Sequence, residues 1–167
     1  MPEYVNIHAS CVLLNGAGKP FGAPANLAVL LIGESGAGKS DLTVRLIERG
    51  AVLVADDRCD LAYRDGALSV SAPANLTGLL ELRGVGILTF PFAAAASVGL
   101  VARLQNLGQI PRYPDPQRYR PPADLHMPEA KWPPLITLAP FEASAPAKLI
   151  AAASAAAARC RPNPDTL

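Results

Sequence analysis

The sequence is poor in the residues that staple, ligate and grip nucleic acid. It has only three cysteines, Cys11, Cys59 and Cys160. An odd number without metal-ligand spacing argues against a disulfide framework or a zinc site. They read as small buried hydrophobes in a reducing compartment. Formal net charge is +1, so the electrostatic footprint of a nucleic-acid binder is missing. No apolar run approaches the roughly 20 residues of a membrane span, and Met1-Pro2-Glu3 opens no signal peptide. The sequence therefore predicts a cytoplasmic protein without nucleic-acid or membrane partners. Charged residues make up only 17%, which is low for a soluble monomer and hints at a homo-oligomer. No internal repeat is visible. The 167 residues suffice for one domain, 1–167, with a real core.

What is present is a complete phosphate-binding motif. Gly33-Glu34-Ser35-Gly36-Ala37-Gly38-Lys39-Ser40 fits G-x-x-x-x-G-K-[ST]. The apolar run Leu27–Ile32 before it has strand length. Residues 41–49 after it carry Leu42, Leu46 and Ile47 on one helical face and stop at Gly50. Strand, glycine loop and helix together make the motif a site. Glycines let successive N–H groups turn inward toward phosphate oxygens, and the helix N-terminus adds partial positive charge. Lys39 would reach the β- and γ-phosphates of ATP, and Ser40 would ligate Mg²⁺.

Val5, Ile7, Ala9 and Cys11 alternate with Asn6, His8 and Ser10, which predicts a strand over 4–14. His8 lies on its polar face. On pattern alone an ordinary surface histidine serves as well as one aimed at a site. Asn15 to Gly22 reads as a turn-rich loop. Ala51–Asp57 is an apolar strand ending in two acids, where P-loop NTPases hold Mg²⁺. Adjacent acids allow two roles, metal binding and acceptance of a proton from an attacking hydroxyl. The spacing does not divide them. A hairpin is expected over 60–71 with its turn at Arg64-Asp65-Gly66. In 79–88, Glu81 and Arg83 alternate with leucines beside two glycines. A strand follows at 97–104.

Residues 105–134 hold eight of the seventeen prolines and predict a long loop. Its Arg112, Arg118 and Arg120 would either reach a phosphate or an acidic partner, or simply be solvated. A short strand at 135–138, an alanine-rich helix at 147–160 and a tail at 161–167 complete the chain.

Four stretches, in order, resemble the bacterial HPr kinase/phosphorylase family. They are Asn6–Ser10, the loop at 33–40, Leu53-Val54-Ala55-Asp56-Asp57, and Leu80-Glu81-Leu82-Arg83-Gly84-Val85-Gly86-Ile87. The last is more specific than any P-loop. The resemblance spans residues 4 to 90 and looks like the short, catalytic-domain-only form of alphaproteobacteria. It implies an α/β P-loop domain related to phosphoenolpyruvate carboxykinases, with a mixed central sheet and flanking helices, often assembled as a hexamer. It also implies transfer of the ATP γ-phosphate to a serine of HPr or an HPr-like carrier of the phosphotransferase system, with phosphorolysis as a reverse activity. Carried over by position, Asp56 would be the general base, and Asp57 a metal or orienting group. His8 would tune the base, Glu81 would help place Mg²⁺, and Arg120 or Arg118 would approach the phosphate. Full-length members carry Pro-Gly-Arg-Asn near the C-terminal helix, whereas this chain has Pro140–Lys148. The resemblance therefore carries the kinase half further than the phosphorylase half. Two other readings stay open: a silent nucleotide-sensing module that binds the carrier, and a small-molecule kinase or NTPase.

Overall fold

A computed structural model describes residues 4–17 and 26–159. The tail at 161–167, Cys160 and the 18–22 part of the expected loop lie outside them. The fold is organised by β3 (Ala28–Ile32), whose residues point alternately to opposite faces of the sheet. Val29 and Leu31 join one core cluster; Ala28 and Leu30 join the other. A strand buried on both faces must be apolar throughout, and β3 is.

The strands are β1 (Val5–His8), β2 (Ser10–Leu13), β3, β4 (Val52–Ala55), β5 (Arg58–Arg64), β6 (Ala67–Ser71), β7 (Leu79–Leu82), β8 (Gly86–Thr89), β9 (Ala96–Leu104), β10 (Gln117–Arg118) and β11 (Pro134–Leu138). One mixed sheet runs β1-β5-β6-β9-β3-β2-β4, with β11 also on β9 and β10 on β11; β7 and β8 form a separate hairpin. Strands β3, β9 and β11 are mutually parallel neighbours. The sheet curls because the long β9 pairs with β6 through Ala96 and Ser97, then with β3 and β11 further along. The result is a mixed α/β fold with a curled central sheet and few helices.

Helix α1 (Lys39–Glu48) starts directly from the glycine loop, and α2 (Ala145–Arg159) is the alanine-rich helix. Both cover the same face. Leu42 and Leu46 from α1 meet Leu149 and Ile150 from α2 over Val29, Leu31 and Leu100. Each fully buried leucine of this kind contributes about 1.5–3 kcal/mol. Among the described residues no α-helix covers the opposite face. The proline-rich segment does: Leu125 is buried there, with Tyr119 and Met127 packed against it. Three short 3₁₀ turns and β10 punctuate this segment, so the expected long loop is a braced cover.

The strand expected over 4–14 is divided at Ala9. β1 pairs with β5, whereas β2 pairs with β3 and β4. The chain from β4 to β5 changes partners at the same place, through Asp56 and Asp57. Ala9 N–H donates to the Asp57 carbonyl at 3.3 Å. Two chain crossings thus meet beside the glycine loop. Their side chains supply the site.

Candidate functional site

The glycine loop bends by residues that accept left-handed backbone. Gly36 has φ +79° and Gly38 φ +92°. A Cβ at Gly38 would come within 2.9 Å of the Phe141 ring, so only glycine allows that contact. Lys39, 6% exposed, donates through Nζ to the carbonyls of Gly33 and Glu34, each at 2.8 Å. Burial lowers the pKa of its ammonium group, and the nearby carboxylates of Asp57 and Asp56 oppose that shift.

Asp56 is the centre of the arrangement. It is 4% exposed and accepts from Ser10 Oγ at 2.7 Å. Ser40 Oγ approaches both of its carboxylate oxygens, at 2.9 and 3.0 Å. A buried carboxylate needs such donors, since an unpaired one costs several kcal/mol. Asp57 is the opposite case. Its side chain is 65% exposed and lies 3.2 Å from His8 Nε2. Its φ is +64°, and Arg58 N–H donates across it to the Asp56 carbonyl at 2.8 Å. This tight turn aims two consecutive carboxylates in different directions. Left-handed backbone at a non-glycine residue costs on the order of 1 kcal/mol and collects at functional sites.

A cleft of about 610 Å³ brings most expected residues together. His8, Ser35, Gly36, Gly38, Lys39, Ser40, Asp56, Asp57 and Glu81 all line it. Glu81 enters from β7, on the hairpin that forms the far wall. Gly33, Glu34 and Ala37 line a second cleft of about 650 Å³, on the other side of the loop. Ser35 and Gly36 face both.

Arg120 and Arg118 are not among the residues lining either cleft. The Arg120 guanidinium sits over the Trp132 ring, 5.9 Å from its centroid, and Arg118 donates to the Trp132 carbonyl at 2.8 Å. Within the chain both arginines brace the proline-rich cover, and neither is brought into a cleft with the phosphate-binding loop. Arg83, next to Glu81, lines the cleft instead. Three further contributors were missed in the sequence. Ser10 shares the alternation phase of His8, a signal that was there to use. Phe141 and Arg45 gave no signal, since their roles depend on chain approach. Arg45 donates to the Glu142 carbonyl at 3.2 Å and also to the Pro140 carbonyl, and so ties the Phe141 loop to α1.

The donors suit a hard cation. Among the described residues no group of three or more His, Cys, Asp and Glu side chains is arranged to hold a metal. Magnesium needs less, since it is commonly bound through one or two carboxylates together with substrate phosphates. The Ser40 hydroxyl already touching the Asp56 carboxylate provides a protein share of that kind.

Residues 5–96, more than half of the chain, match the family described as HPr Serine kinase C-terminal domain. The chain belongs to this family. The HPr kinase/phosphorylase of Latilactobacillus sakei is 42% identical over 95 residues, covering 52% of this chain and 30% of that protein. Its counterpart in Lactiplantibacillus plantarum is 37% identical over 118 residues, covering 64% of this chain and 38% of that protein. The matched region thus spans little more than a third of these relatives at most. The solved structure of the Hpr(Ser) kinase/phosphatase from Coxiella burnetii shares the fold, with a TM-score of 0.66 over 87% of this chain and 91% of that one, at 24% identity. Among the described residues, no helix is long and apolar enough to cross a membrane.

Proposed function

We propose that this domain is an ATP-dependent serine kinase that phosphorylates HPr or an HPr-like carrier. One observation carries the reading: two adjacent carboxylates at the mouth of a phosphate-binding loop are held in different states. Asp56 is buried and bound by Ser10 and Ser40, whereas Asp57 is exposed and paired with His8. Serine phosphorylation needs one carboxylate to hold a metal and another to take a proton. Family membership supplies the acceptor class.

The geometry favours an exchange of the roles that the resemblance suggested. Asp56, with both oxygens on the Ser40 hydroxyl, is the metal-side carboxylate. Asp57, facing the open cleft, is the general base, and His8 orients it. Glu81 and Ser40 would complete the magnesium environment. A magnesium ion bound there would offset charge on the β- and γ-phosphate oxygens.

In the reaction the acceptor serine oxygen forms a bond to the γ-phosphorus as the bond to the β-γ bridging oxygen breaks. ADP leaves, and the serine proton passes to Asp57. Lys39 and the loop N–H groups hold the phosphates in line, which is the main source of rate in such sites. Arg83 adds positive charge from the far wall. The relation to phosphoenolpyruvate carboxykinases, a hexameric assembly and a cytoplasmic location belong to the same proposal.

The test is to incubate the chain with MgATP and an HPr-like carrier and to locate phosphate on the carrier. One phosphoserine per carrier supports the kinase. ATP hydrolysed beside an unmodified carrier would favour an NTPase or small-molecule kinase. Binding of ATP without turnover would favour a sensing module.

A further inference from the structure

The second cleft lies on the other side of the phosphate-binding loop and is built from the same part of the fold. It lies beyond the carboxyl ends of the three parallel strands β3, β9 and β11. Gly33–Ala37 follow β3, Gln105 to Gln109 follow β9, and Pro140 and Phe141 follow β11. Crevices at the carboxyl ends of parallel strands are where open α/β sheets bind ligands. Ser35, Gly36 and Phe141 line both clefts, so a ligand with its terminal phosphates at Lys39 has a continuous path over the loop.

Resting on the kinase reading above, we propose that this second cleft takes the base and ribose of the nucleotide, with Phe141 as the stacking face and Gln105, Asn106 and Gln109 as the groups that hydrogen-bond it. Phe141 is 70% exposed, an unusual state for a ring lying against backbone. Its position is nonetheless fixed. Gly38 leaves room for the ring, and Arg45 holds the carbonyls on either side of it. Arg45 is in turn held by Asp41, with Nη2 2.8 Å from Oδ2. Glu142 is tied to Lys148 at 2.7 Å. An exposed aromatic ring on a braced loop is ready to stack without paying to be ordered.

The amides fit the same ligand. Gln105, Asn106 and Gln109 are exposed and neutral, each offering both a donor and an acceptor. Such groups match the edge of a base, and Arg103 at the end of β9 is the one cation among the described residues that line the cleft. The volume, about 650 Å³, lies within the range of small-ligand pockets, roughly 300–1,000 Å³.

The experiment compares binding of MgATP and of magnesium tripolyphosphate to the wild-type chain and to Phe141→Ala, Phe141→Trp and Asn106→Ala. Tripolyphosphate carries the phosphates without base or ribose. Phe141→Ala is expected to weaken MgATP roughly tenfold or more and to leave tripolyphosphate unchanged. Phe141→Trp should restore MgATP affinity, and Asn106→Ala should change the ratio of ATP to GTP affinity. Unchanged MgATP affinity in Phe141→Ala, or an equal loss of tripolyphosphate, would overturn the base cleft while leaving the phosphate site standing. A wild-type chain that binds neither probe would instead overturn the nucleotide reading itself.

Discussion

Ser40 Oγ lies 2.9 Å from one carboxylate oxygen of Asp56 and 3.0 Å from the other. The loop serine and the first acid after β4 are therefore joined directly. That link binds the fate of the two residues together. Ser40→Ala and Asp56→Asn are each expected to remove most of the magnesium dependence of ATP binding, with affinity at saturating magnesium falling about tenfold or more. Calorimetric titration of ATP with and without magnesium checks this. A variant that keeps the full magnesium effect would take its residue out of the metal site.

Asp57 differs in what it should cost. Asp57→Asn keeps the shape and the backbone tolerance of aspartate but cannot accept a proton. Turnover should fall about 10²- to 10⁴-fold while ATP affinity stays within about threefold. Asp57→Gly should be equally inactive, yet its denaturation midpoint should match or exceed that of the wild type, because glycine accepts the +64° φ without strain.

His8 acts through Asp57, 3.2 Å away. His8→Ala is expected to lower turnover by about tenfold in the wild-type background and to add almost nothing in Asp57→Asn. Such non-additivity is the mark of residues working as a unit. Additive losses in single-turnover rates would show that His8 works independently.

Arg120→Ala should leave turnover within about threefold, since its guanidinium stacks on Trp132 away from both clefts. Arg83→Ala should cost about tenfold or more in kcat/KM, as a charge facing the transferred phosphate would. The reverse order would return the phosphate-side role to Arg120.

The buried thiols give a pH prediction. Burial raises the Cys11 pKa, with Cys59 adding to the shift; burial also raises that of Cys59, with Asp56, Asp60 and Asp57 adding to it. Folding favours the protonated thiols. Their contribution is complete below the unfolded thiol pKa, about 8.5, and is lost as pH rises from there toward the folded values. Unfolding free energy should fall above about pH 8.5 by up to ~1.4 kcal/mol per pH unit for each thiol. Cys11→Val should flatten that slope in denaturant titrations run across the range.

Much of the site was legible in the sequence because its parts are local. The glycine loop, β3 and α1 follow from one motif, and the hairpin of β5 and β6 turns at Asp65 and Gly66 as its residues require. Alternation placed His8 on the exposed face correctly. What the sequence could not show depends on distant chain segments. The phase from Val5 to Cys11 is unbroken, so nothing local announces that the strand changes partners at Ala9. The difference between Asp56 and Asp57 arises from Ser10, Ser40 and His8, two of them more than forty residues upstream. The proline-rich segment looked like a free loop because its core-reaching side chains, among them Tyr119, Leu125 and Met127, are thinly spread among prolines.

The most direct test is the intact mass of an HPr-like carrier after a single turnover with MgATP, run side by side with the wild-type chain and with Asp57→Asn. The expected result is one added phosphate on a serine with the wild type and almost none with Asp57→Asn, although both proteins bind ATP alike. A carrier of unchanged mass with the wild type would contradict the kinase, and equal phosphorylation by the two proteins would contradict Asp57 as its base.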